Sequence, residues 1–170
     1  MGLLSKTQNG IKKICVFTCL LGIILSLVSC KAPEDKALFS LGEYKNHVYY
    51  SEGGFQDYTD YAKYFYGSVN FKGNKYFTKI NESDLTKIYE HLDDFETWIE
   101  TYKEGDSTCE IVVNYDFDRA IIDKDDYIYI DSEKFTTTWD NGTKTSTLVN
   151  YDVYFFDTQT QVLYYFHNNI

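Results

Sequence analysis

Four oxygen-bearing side chains stand at a spacing that could hold a hard cation. Asn114, Asp116 and Asp118 occupy the first, third and fifth places of a calcium-type loop, and Asp125 falls at the twelfth. Calcium takes six to eight oxygen ligands, and a loop with acids at alternate positions can wrap them around one ion. The sixth place, which requires glycine for its sharp turn, is Arg119, and the last place holds the short Asp125 instead of glutamate. The match is partial, and solvated charges on a turn compete with it. Asp123 and Asp126 complete the densest acidic stretch of the chain, so a small hydrolase or metal-dependent enzyme built on Asp116–Asp126 is one functional class to test.

Other catalytic chemistry finds little purchase. His47, His91 and His167 are far apart and lack the His-Glu-x-x-His spacing of a zinc site. There is no Gly-x-Ser-x-Gly elbow, no phosphate-binding glycine loop and no Cys-x-x-Cys pair. Of the four cysteines, Cys15 and Cys19 lie in an apolar leader. Cys109 reads as a small buried hydrophobe in the run Cys109-Glu110-Ile111-Val112-Val113, and Cys30 has a different setting.

Residues 1–29 carry Lys6, Lys12 and Lys13 and no acid, and Ile14 through Val28 form an apolar core too short to span a bilayer comfortably. This core ends in Leu27-Val28-Ser29-Cys30, which resembles the lipobox of bacterial prolipoproteins: a leucine, a variable residue and a small residue before the modified cysteine. The resemblance implies cleavage before Cys30, a diacylglyceryl group on its thiol, acylation of the new amino terminus and a stable anchor in the cell membrane. It further implies that the remaining domain faces the extracytoplasmic side. Residues 1–29 are then a signal peptide, residues 30–36 the lipidated cysteine and a polar tether containing Pro33, and residues 37–170 a single domain.

Removing a +3 leader from a net charge of −10 leaves −13 on 141 residues, together with all 17 tyrosines and both tryptophans. Such a charge excludes nucleic acid as a partner, because phosphates select lysine and arginine faces. It also disfavours lying flat on an anionic membrane. The domain is too small for the two lobes of a solute-binding protein, yet large enough to bury a core. A tethered module that binds a protein, peptide or glycan is therefore the first reading, since tyrosine offers broad amphipathic contact area.

The elements that would position these residues can be read from periodicity. Lys45–Tyr50 alternates and is expected to be a strand, followed by a turn at Ser51–Gly54. Phe55, Tyr58, Tyr61, Ala62 and Phe65 recur at helical spacing and suggest a short aromatic helix. Leu85, Ile88, Leu92, Phe95, Ile99 and Tyr102 form one apolar stripe on a long helix, with Asn81 and Asp84 as its cap, Gly105 as its stop and His91 beside the stripe. Asp93, Asp94, Glu96 and Glu100 should line its outer surface. Strands are expected at 109–115, 127–131, 135–139, 148–157 and 161–167, with turns at Asp140–Thr143 and Asp157–Thr160. The sum is an α+β domain: an antiparallel meander in the C-terminal half, packed against one long amphipathic helix and the shorter aromatic helix. Aromatics on both faces of 151–156 place that strand at the centre of the sheet, covered on both sides. His167 reads as part of a docked last strand, with a functional role as the lesser option.

Overall fold

A computed structural model describes residues 35–54, 57–139 and 142–169. The leader, Cys30 and most of the tether lie outside these residues. The chain divides into two compact units, Met1–Lys36 and Ala37–Ile170, and the second carries the fold described below.

The architecture is α+β. After a four-residue helix α1 (Lys36–Phe39) come β1 (Asn46–Gly53), β2 (Tyr58–Phe65) and the short β3 (Thr78–Lys79). The long helix α2 (Glu82–Gly105), a single turn α3 (Glu110–Asn114) and a 3-10 turn (Arg119–Ile121) precede β4 (Tyr127–Thr138), β5 (Lys144–Asp157) and β6 (Val162–Asn169). The six strands form one sheet in the order β1-β2-β6-β5-β4-β3, and every pair is antiparallel. Strands β4, β5 and β6 make the expected meander, with β5 between its two neighbours.

Helix α2 begins where the local chemistry says it should. The Asn81 side chain accepts from the backbone of Ser83 and Asp84, while the Asp84 carboxylate accepts from the Asn81 N–H, so three backbone donors at the helix start are satisfied. Its apolar stripe buries Ile88, Leu92, Phe95 and Ile99 against Tyr61, Tyr151, Val153, Phe155 and Phe166 of the sheet. The sheet's other face carries a second core, in which Ala62, Tyr64, Tyr154, Phe156 and Leu163 meet Ala37, Leu41, Tyr66 and Phe77. There the Phe71 ring stacks on Tyr127 with centroids 3.8 Å apart.

Three expectations need correction. The aromatic stretch from Tyr58 to Phe65 is strand β2, not a helix. Because both faces of the sheet are covered, Tyr61 and Ala62 are buried on opposite sides, and the two-residue period is hidden under an accidental helical one. The run after Cys109 is the helical turn α3, not a strand. It puts Ile111 in the core and leaves Val113 exposed, and a five-residue apolar run carries no period long enough to separate the two alternatives. Segment 127–131 and residues 135–138 of the expected 135–139 belong to one continuous strand, which ends at Thr138, with an irregularity in register between Glu133 and Lys134. At the tip of that hairpin the Trp139 N–H donates to Thr143, and Gly142 donates to Trp139 while adopting φ 81°, a left-handed conformation that glycine takes without strain.

Candidate functional site

The acids singled out from the sequence are held apart by the fold. Asn114 ends α3, its amide donating to the Glu110 carbonyl at 2.8 Å. Asp116 accepts from Tyr61 Oη at 2.7 Å and Lys63 Nζ at 2.6 Å. Burial pushes its pKa up, but these two donors outweigh that and hold it below the usual range. Asp118 caps the 3-10 turn by accepting from the Ala120 N–H. Asp125 pairs with Lys79 at 2.8 Å, which draws its pKa down. Asp126 is buried as a turn clamp, accepting from Thr158 and Asp123. Among the described residues, no three His, Cys, Asp or Glu side chains come together in a way that could hold a metal ion. Cys109 is half-buried at the start of α3 and carries no disulfide.

The acidic outer surface of α2 is also divided. Asp93 and Glu96 face outward to Arg119, each at 2.7 Å from a guanidinium nitrogen, and Tyr115 Oη donates to Glu96 at 2.9 Å. Asp94 instead turns toward the sheet. It accepts from Tyr151 Oη at 3.0 Å and from the Asn168 amide at 3.5 Å, and burial raises its pKa. Asn168 accepts in turn from Thr59, whose hydroxyl lies 3.1 Å from Tyr102 Oη. His91, also buried, uses Nδ1 on the Lys87 carbonyl at 2.7 Å.

A different cluster forms on the opposite face, and its central row crosses four strands. The register runs Asp60 of β2, His167 of β6, Asp152 of β5 and Asp131 of β4 straight across the sheet. Side chains at directly paired positions point to the same face. One Asp152 oxygen accepts from Tyr165 Oη at 2.7 Å and from His167 Nδ1 at 2.8 Å. Since a carboxylate only accepts, Nδ1 bears the proton and the imidazole orientation is fixed. Tyr58 packs on the His167 ring with centroids 4.9 Å apart, and Tyr165 stacks at 6.2 Å. Burial and the Asp152 carboxylate drive the Tyr165 phenol far above its ordinary pKa. Tyr49 of β1, 49% exposed and paired with Ala62 two residues along β2 from Asp60, has its phenol pushed upward, first by burial and then by the Asp60 carboxylate.

Within this cluster two atoms have no partner. Asp60 is 3% exposed and His167 8%, yet Asp60 Oδ1 and His167 Nε2 make no hydrogen bond. Buried polar atoms in native proteins are nearly always satisfied, so two such atoms on directly paired residues mark this spot. Periodicity alone points to half of it. Once Asp157 and Val162 are the first pair of the last hairpin, counting five residues outward along each strand brings Asp152 opposite His167. Asp60 is hidden by the helical misreading of β2.

Compared with known protein families, with curated proteins and with solved structures, the chain matches none.

Proposed function

We propose that this chain is a lipoprotein, anchored in the cell membrane through Cys30, whose extracytoplasmic domain is a small binding module working through the tyrosine- and aspartate-rich face of its sheet. The observation that carries the module reading is the row Asp60–His167–Asp152 set among Tyr49, Tyr58 and Tyr165. Its side chains stand on adjacent strands of one sheet, a rigid support, and their rings offer amphipathic contact area at low entropic cost. The partner is a protein, peptide or glycan on the same side of the membrane.

The enzymatic alternative rests on the patch between Asp116 and Asp126, and the geometry supports it less. Asp116 and Asp125 are neutralised by Lys63 and Lys79, and Asp126 is committed to a turn. Calcium around Asn114, Asp116, Asp118 and Asp125 would have to displace those lysines. Calorimetry with millimolar calcium tests that arrangement, and heat that saturates and is lost in Asp116→Asn would revive it.

Two experiments test the main reading. Cys30→Ala is expected to leave an unprocessed, unlipidated precursor, and normal processing with lipid labelling of that variant would refute the anchor. Crosslinking on the native membrane followed by recovery of the tagged protein is expected to capture a partner from the wild type. Capture should drop when Tyr49 and Tyr58 are both changed to alanine, and equal capture from both proteins would refute the binding face.

A further inference from the structure

Asp60 Oδ1 and His167 Nε2 are buried, unpartnered and carried by residues that face each other across β2 and β6. Paired side chains on one face of an antiparallel ladder have Cβ atoms about 5 Å apart. In the tautomer that carries its proton on Nδ1 and donates to Asp152, the imidazole presents a lone pair at Nε2. The carboxylate oxygen of Asp60 also only accepts. Two buried acceptors without a donor are left uncompensated for their lost hydration. A group that brings several N–H donors and a positive charge relieves both.

We infer that Asp60 and His167 form a subsite for a primary ammonium group, a lysine side chain or free amino terminus presented by the partner of the binding face. This rests on the binding-module reading and gives its ligand a chemistry. An ammonium has three donors in a compact head, so it can bridge single acceptor atoms on two residues. A guanidinium fits less well, because its fork seeks both oxygens of one carboxylate, whereas this pair offers one open oxygen of Asp60 and one ring nitrogen of His167. The rings of Tyr49, Tyr58 and Tyr165 around the pair supply faces that attract a cation, and the acidic domain favours its approach. Asp152 does not bind the ligand. It is a positioning residue, turning His167 so that Nε2 is left open.

The test uses the full lipidated protein in detergent micelles, titrated with methylammonium while the nitrogen shifts of the His167 ring are followed. A saturable shift at Nε2 is expected, at least about tenfold weaker in Asp60→Asn and unchanged in Asp116→Asn. Tetramethylammonium, which has the charge but no N–H, should give no saturable shift. A rise in Tm with methylammonium provides a second measure in both variants. The subsite is overturned if methylammonium does not saturate, if tetramethylammonium acts equally, or if Asp60→Asn binds as wild type does. It is equally overturned if Nε2 in the ligand-free protein is protonated and bonded to Asp60, a closed ion pair that needs no ligand. A membrane partner captured equally by wild type and Asp60→Asn would refute the ammonium subsite and leave the module reading standing.

Discussion

The two faces of the sheet use the same parts to opposite ends. On the helix side an aspartate, Asp94, accepts from a tyrosine, Tyr151, and from a second donor on β6, Asn168, with a histidine, His91, edge-on to that tyrosine at 5.1 Å. On the far side Asp152 accepts from Tyr165 and from a second donor on β6, His167. In the first arrangement the acid comes from α2, so its hydrogen bonds tie the helix down onto the strands. In the second every member belongs to the sheet itself, and the hydrogen bonds orient side chains without fastening one layer to another. A buried polar network between layers specifies docking, whereas one within a layer leaves its outer atoms free to meet something else.

Substitutions can break this contrast. The largest effect should come from Phe95→Ala, which empties the centre of the helix-side core and is expected to cost about 3–5 kcal/mol in denaturant unfolding. Tyr49→Ala, at the rim of the other cluster, should stay within about 0.5 kcal/mol. Comparable losses would mean that both faces are simply structural. Next in size, Asp152→Ala strands two buried donors and is expected to cost about 1–3 kcal/mol. Asp94→Ala should cost less than that, since it also removes a carboxylate whose ionisation burial opposes. The reverse order would show that the helix-side network is the more rigid of the two. Asn81→Ala removes the α2 cap and should cost about 1 kcal/mol, loosening the helix face while leaving the His167 ring shifts unchanged.

The smallest effect is a matter of sign with pH. Asp94 has its folded pKa raised, so the native state holds its proton longer than the unfolded chain. Its contribution to stability therefore declines as pH rises from the ordinary value of 3.8 through the raised one. Asp116 has its folded pKa lowered, so its contribution is full above 3.8 and is lost as pH falls through the lowered value. Melting temperatures across the acid range should thus flatten in opposite senses for Asp94→Asn and Asp116→Asn. The same slope change in both variants would contradict the assigned environments.

What the sequence makes legible is what local chemistry determines. The capping box at Asn81 and the stripe on α2 involve neighbours three and four residues apart, and both stand as read. Strand β2 fails for a tertiary reason. Its residues are buried on both faces because α2 covers one side while residues 37–41 and 66–77 contribute to the core on the other, and no local pattern records that. The acidic residues are drawn to separate partners for a similar reason. Their spacing suggests convergence, but Asp116 and Asp125 each find a lysine on a strand far away in sequence, Lys63 and Lys79. The Asp60–His167 pairing depends on the contact between β2 and β6, which joins segments more than 90 residues apart.

That contact has a consequence for the order of events as the chain is made. β6 follows the other five strands along the described chain, yet it lies inside the sheet, with β2 on one side and β5 on the other. Until β6 is in place, β1 and β2 form a ribbon with no strand pairing to the β3-β4-β5 portion, and each portion presents an open edge. Closure of this long-range pairing should therefore be the slow step, and a chain in which β6 has not docked keeps two unpaired edges in place of one finished sheet. Strand β6 works as a keystone: it is the piece that joins the two arms.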